Sequence, residues 1–126
     1  MKEPLRITIT GKEMQNINWH DELNVAVTVS DTKGEILYMN RKSAGTFAKY
    51  GGESLIGKNL KDCHKPESWD KIADMIENGR TNVYTIEKEG VKKLIYQTPW
   101  IKDGRVSGMV ELSLEIPFEM DHFIRK

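Results

Sequence analysis

The sequence contains little cysteine, no excess charge of either sign and no long apolar run. Its single cysteine, Cys63, cannot form a disulfide within the chain, which fits a reducing compartment and excludes an all-thiolate zinc site in one chain. Lys plus Arg total 19 and Asp plus Glu total 19, so no net charge attracts the protein to nucleic acid or anionic lipid. No apolar run approaches the roughly 18 residues of a membrane helix. These absences predict a cytoplasmic protein without a nucleic-acid or membrane partner.

The common catalytic motifs are also missing from the sequence. It has no nucleophile elbow, no zinc-hydrolase helix and no paired-carboxylate pattern. The glycine-rich stretch GGESLIG lacks the Lys-Ser/Thr ending of a phosphate-binding loop, and its first two glycines are typical of a helix end. The amino terminus, MKEPLRITIT, has no apolar block typical of a secretory signal. We therefore expect no enzymatic activity and no catalytic residue.

The length of 126 residues suits one domain with short extensions. We predict an amino-terminal extension over residues 1–22, a domain over residues 23–117 and a carboxy-terminal tail over residues 118–126. The tail together with Pro117, PFEMDHFIRK, is more apolar than a freely solvated segment usually is. Apolar residues also alternate in the amino-terminal extension, as in a short strand: Leu5, Ile7 and Ile9. The apolar ends favour a homodimer, with a monomer whose ends fold back on its own sheet as the alternative.

The first half of the domain reads as a hairpin followed by short helices. Alternation in NVAVTVS predicts a strand, SDTKGE a turn and EILYM a second strand. Asn40 is a good helix cap because its short side chain can accept from an exposed backbone N–H. One more helical turn is predicted in ESLIGKNL, and Asp62 to Pro66 should be irregular because proline disfavours helix at the residue before it.

The second half reads as a longer helix followed by three strands. Apolar residues at i, i+3, i+4 and i+7 spacing predict a helix from Glu67 to Gly79: Trp69, Ile72, Ala73 and Ile76. NVYTIEKEGVKKLIYQTPWI is a predicted hairpin, and KDGR turns the chain into VSGMVELSLEI. In this last strand the face of Val110 is apolar and the face of Met109 is mixed. We expect the apolar face to lie inside and the mixed face to be available for a homodimer.

Two strands, short helices and three strands predict an α+β fold with one antiparallel sheet. The segment DTKGEILYMNRKSAGTF resembles the opening of a PAS domain, with a turn containing Asp and Gly and a strand that ends in a Tyr-x-Asn unit. ESLIGKNL is similar to the next short helix, and DGRVSGMVELSLEI to the last strand, although this chain has Glu115-Ile116-Pro117 where PAS domains usually have Asp-Ile-Thr. The resemblance covers about residues 23–117. It implies the PAS fold, a five-stranded antiparallel sheet with short helices packed on one face.

A closer likeness is to a branch of small bacterial and archaeal PAS modules with a Cys-His-x-Pro unit. That unit is Cys63-His64-Lys65-Pro66 in this chain, which lacks the hemerythrin-like domain that often accompanies it. Several roles remain open for the pair: a turn or cap, a pocket lining, or a redox-sensing thiol.

The resemblance implies a sensor that binds a small molecule or cofactor between sheet and helices and relays the change through protein–protein contacts. The expected ligand-binding residues come from the Cys-His pair, the longer helix and the strands: Cys63, His64, Trp69, Ile72, Ile76, Tyr84, Tyr96 and Trp100. The same periodicity also fits a filled core, which would make the domain a ligand-free dimerisation or scaffold module. The pattern does not identify the ligand or the signalling partner.

A haem or metal protein is the remaining alternative. Without a Cys-x-x-Cys-His unit, haem attachment cannot be covalent, although His64 could ligate non-covalent haem. Haem-binding PAS domains usually take this ligand from the longer helix, which has no histidine here. A zinc ion would need further ligands such as His20 or His122, and DCHKP does not match the flavin-reactive cysteine context. We therefore expect no metal site.

Overall fold

The computed structural model describes residues 9–11 and 17–126, so Leu5 and Ile7 of the predicted amino-terminal strand lie outside the described residues. In chain order the elements are α1 (Trp19–Glu22), β1 (Ala26–Asp31), β2 (Ile36–Met39), α2 (Arg41–Thr46), α3 (Leu60–Cys63), α4 (Pro66–Asn78), β3 (Asn82–Lys88), β4 (Val91–Lys102) and β5 (Arg105–Ile116). Two 3₁₀ turns, Ala48–Tyr50 and Gly52–Leu55, connect α2 to α3.

The strands of the described residues form one antiparallel sheet in the order β2-β1-β5-β4-β3. The five-stranded α+β architecture predicted from the sequence is therefore confirmed. Strands β4 and β5 are the longest and form a hairpin through the KDGR turn. In the described parts of the chain, no helix is long and apolar enough to cross a membrane.

The β1–β2 turn is stabilised by a side chain that accepts hydrogen bonds from backbone N–H groups of the turn. Asp31 Oδ1 accepts from the backbone N–H groups of Lys33 and Glu35, each at 2.9 Å. Gly34 has a φ of 88°, and a Cβ atom at this position would lie 2.6 Å from ring atoms of Trp69 on α4. Glycine is therefore required twice, by the backbone conformation and by the ring above it.

Asn40 joins the hairpin to α2 and to the segment before β1. Its Oδ1 accepts from the backbone N–H of Ser43, which caps α2, and from that of Val27 on β1, both at 2.9 Å. Its Nδ2 donates to the carbonyls of His20 and Val25 at 2.9 and 2.7 Å. The predicted cap is confirmed, and the same side chain also holds the start of β1.

The Cys-His connection is shorter than predicted. Residues Leu60–Cys63 are helical rather than irregular, because Asn59 Oδ1 accepts from the Lys61 N–H at 2.9 Å and caps the turn. His64 and the residue after it are extended, and Pro66 occupies the first position of α4.

The core lies between the sheet and α4. Its buried side chains are Ile36, Met39, Leu60, Ile72, Met75, Ile76 and Met109. In the sheet register Met109 is opposite Ser30 and Glu111 is opposite Thr28, so the mixed face of β5 is the inner face. The expectation that the Val110 face lies inside is wrong, and so is the assignment of the mixed face to a homodimer. Alternation distinguishes the two faces of a strand, but only the packing of distant α4 decides which one is covered.

The apolar face of β5 therefore belongs to the outer side of the sheet. The carboxy-terminal tail after β5 is exposed, with Phe123 at 67% and Ile124 at 83% of full exposure. A bond from Lys92 Nζ to the Phe118 carbonyl, at 3.5 Å, joins the start of the tail to β4.

Candidate functional site

A cavity of about 560 Å³ lies between the inner face of the sheet and the short helical segment that follows β2. Its apolar wall consists of Ile36, Met39, Phe47, Leu55 and Leu60. Its polar residues are Thr28, Tyr50, Asp62, His64 and Glu111. The volume falls within the roughly 300–1,000 Å³ of typical small-molecule sites, which are likewise mostly apolar with a few placed polar groups.

A recess of about 20 Å³ adjoins this cavity. The recess shares Thr28, Leu60, His64 and Glu111 with the cavity, and its other lining residues are Ser30, Ile72 and Met109. Its size is enough for one water-sized polar group. Both spaces are mostly apolar, and we call the end next to the recess the polar end because Thr28, Ser30, His64 and Glu111 line it.

Glu111 on β5 is held at this polar end by a chain of side-chain amides. Gln97 Nε2 donates to Glu111 Oε1 at 2.8 Å, and Asn82 Nδ2 donates to Gln97 Oε1 at 3.2 Å. The chain crosses β3, β4 and β5 on the inner face, where Gln97 is only 5% exposed. A charge-assisted hydrogen bond of this kind fixes the carboxylate in place.

The Glu111 charge also acts on Tyr84 of β3. Burial raises the pKa of the Tyr84 hydroxyl above its ordinary value, and the nearby Glu111 carboxylate raises it further. Tyr84 is on the same face as Glu111, since it is opposite Ile95, which is opposite Ser113.

Ser30 has a buried hydroxyl without a hydrogen-bond partner among the described residues. The residue is 1% exposed and lines the recess. Buried polar side chains in proteins almost always have a partner, so this hydroxyl is an exception that needs a reason. Ser43, which is 0% exposed, shows the usual situation, because its hydroxyl is 2.6 Å from the hydroxyl of Thr28.

His64 lies at the exposed edge of the cavity with one ring nitrogen already engaged. Its Nδ1 is 2.8 Å from the carbonyl oxygen of Leu60. A carbonyl oxygen only accepts, so Nδ1 carries the hydrogen and Nε2 of a neutral ring is an acceptor.

The structure brings only part of the predicted site together. Of the eight predicted residues, His64 lines both the cavity and the recess, and Ile72 lines the recess. Ile76 is in the core and the Trp69 ring covers Gly34. Cys63 ends α3, and its side chain lies outside the described part of the structure.

The predicted strand aromatics are divided between two faces. Tyr84 is on the inner face but is not part of the cavity lining. Tyr96 is opposite Leu112, and Trp100 is on the same face of β4, so both lie on the outer face. Apolar periodicity selected these residues, and it does not distinguish a cavity wall from an exposed sheet face.

Apart from His64, the polar residues of the site were not predicted from the sequence. No usable signal for Glu111 and Gln97 is present in the sequence, because the covered face of β5 and the burial of Gln97 are known only from the structure. A charged residue on a covered strand face needs a partner, and Gln97 is that partner here. Ser30 and Thr28 gave no signal either.

Neither metal nor haem suits this lining. Within residues 9–11 and 17–126, no three His, Cys, Asp or Glu residues form a group that could hold a metal ion. A haem would bring two propionate groups to a lining whose described residues include the carboxylates of Asp62 and Glu111 but no Lys or Arg. The charges therefore do not fit a haem, even though His64 has a free ring nitrogen.

Solved PAS structures have the same fold. A PAS domain from Colwellia psychrerythraea is 20% identical with a TM-score of 0.59, over 82% of this chain and 95% of that chain. The Aer2 receptor of Vibrio cholerae, described as a dual PAS-heme oxygen sensor, is 16% identical with a TM-score of 0.59, over 74% of this chain and 95% of that chain. Another solved structure with a similar fold, VqmA bound to DPO, is 16% identical with a TM-score of 0.62, over 82% of this chain and 57% of that chain. No family model and no curated protein matches the chain.

Proposed function

The chain has the PAS fold, and from this premise we propose that it is a signal-sensing module that binds a small organic molecule in the cavity between sheet and helices. PAS domains are generally sensory rather than catalytic, and we propose no reaction for this one. The observation that carries the proposal is the cavity of about 560 Å³ with a polar end. The cytoplasmic location remains a prediction from the sequence.

The hydrogen-bonded side chains at the polar end provide a route for the signal. A ligand that binds Glu111 changes its bond with Gln97, which is buried on β4. The preceding residue of β4, Tyr96, faces the other side of the sheet. We therefore propose that ligand binding is relayed through β4 to the outer face, where it alters protein–protein contacts.

We propose a second copy of the chain as the partner on the outer face. This face carries a row of partly exposed apolar side chains: Leu94, Tyr96, Trp100, Val110, Leu112 and Leu114. Sedimentation velocity should show a dimer, and Tyr96→Arg should convert it to a monomer because the charge would be buried without a partner. Ile56→Arg is the matched control, since Ile56 is 41% exposed on the helical side and Tyr96 is 38% exposed. A wild-type monomer at high micromolar concentration would contradict this assembly.

Native mass spectrometry and a fragment screen by thermal shift test the ligand-binding proposal. We expect a retained small molecule, or a raised melting temperature with fragments that fit the cavity. Leu55→Trp should fill the cavity and abolish both effects, whereas Leu37→Trp should not, because Leu37 is 41% exposed and does not line the cavity.

A scaffold without a ligand is the alternative function. It would give a dimer with no retained molecule, no thermal shift from any fragment and no difference between the two tryptophan variants. The exposed outer face is the observation that favours this alternative.

A further inference from the structure

The ionisable groups of the cavity point to the charge of its ligand. Among the described lining residues, Asp62 and Glu111 carry carboxylates and no lysine or arginine is present. An anionic ligand would enter next to two negative charges with no lysine or arginine to compensate. A cationic ligand would instead be attracted by both carboxylates and could donate hydrogen bonds to them.

The amide chain fixes Glu111 as an acceptor. Because Gln97 Oε1 accepts from Asn82, its amide nitrogen must face Glu111, and this side of the network can only donate. The donation takes up Glu111 Oε1, and Oε2 has no hydrogen-bond partner among the described residues. The network therefore presents one free carboxylate oxygen.

The other polar groups beside Glu111 can also accept. His64 Nε2 of the neutral ring is an acceptor, because Nδ1 faces the Leu60 carbonyl at 2.8 Å. The unpartnered hydroxyl of Ser30, in a residue that is 99% buried, lines the same recess. A hydroxyl can accept from a ligand N–H, and such a partner would remove the cost of leaving it unsatisfied.

On the basis of the proposed function, we infer that the ligand is a small organic cation. Its ammonium group, which is about the size of a water molecule, binds Glu111 and the Ser30 hydroxyl in the recess. Its apolar body lies against Met39, Phe47 and Leu55 in the larger cavity. Charge-assisted hydrogen bonds to Glu111 supply the selectivity, and burial of the apolar body supplies much of the affinity.

Matched probe molecules test this inference. The primary amine and the alcohol of the benzyl, phenylethyl and indolylethyl scaffolds differ in charge but hardly in size, and the carboxylic acid is a larger probe of the opposite charge. Isothermal titration calorimetry at neutral pH should rank them amine, alcohol and acid, with the amine of a binding scaffold about tenfold or more tighter than the alcohol.

Variants of two carboxylates on β5 test whether the Glu111 charge causes the preference for amines. Glu111→Gln should remove most of the amine preference while the alcohols bind within about twofold of their wild-type affinity. Glu115→Gln is the matched control, because Glu115 is exposed four residues further along the strand and does not line the cavity. Ser30→Ala should weaken the amines by a few-fold without loss of folding.

The outcomes separate this inference from the proposed function. Equal binding of the three forms, tighter binding of the acids, or an unchanged preference in Glu111→Gln would overturn the cationic ligand but leave a small-molecule sensor. If no probe binds, the inference also fails, and the retained-ligand and Leu55→Trp measurements then decide on the sensor itself.

Discussion

Asn40 and Ser30 are both buried polar residues of the β1–β2 region, yet their hydrogen bonding is opposite. Asn40 is 0% exposed, and its side chain makes four hydrogen bonds, two as acceptor and two as donor. Ser30 is 1% exposed, and its hydroxyl has no partner among the described residues. The side chain with all its hydrogen bonds, Asn40, stabilises the fold, whereas the side chain without a partner, Ser30, lines the recess next to the cavity. The difference teaches which buried polar groups are structural and which are available to a ligand.

The largest loss of stability is expected from Asn40→Ala, which removes all four hydrogen bonds of the Asn40 side chain. The change leaves two backbone N–H groups and two carbonyls without their side-chain partner, so it should lower the free energy of unfolding by about 3 to 5 kcal/mol. Urea unfolding followed by circular dichroism measures this loss. Asn59→Ala is the control and should cost only about 1 kcal/mol, because both the cap that Asn59 forms with the Lys61 N–H and the bond that it donates to the Lys33 carbonyl are exposed to solvent. Equal losses would mean that Asn40 is an ordinary cap.

Gly34→Ala should be the next most destabilising change. The new Cβ would meet the Trp69 ring at 2.6 Å, and the φ of 88° is unfavourable for alanine, which together predict a loss of about 2 to 4 kcal/mol. Gly57→Ala separates the two causes, since Gly57 has a φ of 92° but no atom within 4 Å of its added Cβ. This control should cost about 1 to 2 kcal/mol, from the backbone alone. The same loss in both variants would exclude the Trp69 contact as a cause.

Ser43→Ala and Ser30→Ala extend the comparison to two buried serines. Ser43→Ala removes the hydroxyl that pairs with Thr28 at 2.6 Å and should cost about 1 kcal/mol. Ser30→Ala removes an unpaired hydroxyl, so the free energy of unfolding should stay constant or increase slightly. Thermal unfolding of both variants without ligand provides the measurement. A larger loss in Ser30→Ala than in Ser43→Ala would show that the Ser30 hydroxyl has a structural role.

The local features of the first half were predictable because neighbouring residues determine them. The turn at Gly34 and the cap at Asn40 depend on backbone conformation and on hydrogen bonds within a few residues. The inner face of β5 was not predictable, because α4 decides the burial of Met109 from a distant part of the chain. The polar recess depends on the same long-range arrangement, since it forms only when Thr28 on β1 lies opposite Glu111 on β5. Periodicity found the core residue Ile72 but could not distinguish core, cavity wall and outer face.

The smallest effect is expected in the stability at alkaline pH. Its measurement tests whether the Glu111 charge influences Tyr84 on β3. Burial and then Glu111 raise the pKa of Tyr84, so its stabilising effect is complete below the ordinary value of about 10 and is lost as the pH rises through the higher folded-state pKa. Tyr84→Phe should therefore lose less stability than the wild type when urea unfolding is compared at about pH 8 and pH 11. Glu111→Gln should lie between the two, because burial still raises the pKa, and Glu115→Gln should behave as the wild type. The differences should be small because Tyr84 is 42% exposed and water screens the charge. Identical behaviour of Glu111→Gln and the wild type would restrict the influence of Glu111 to the cavity.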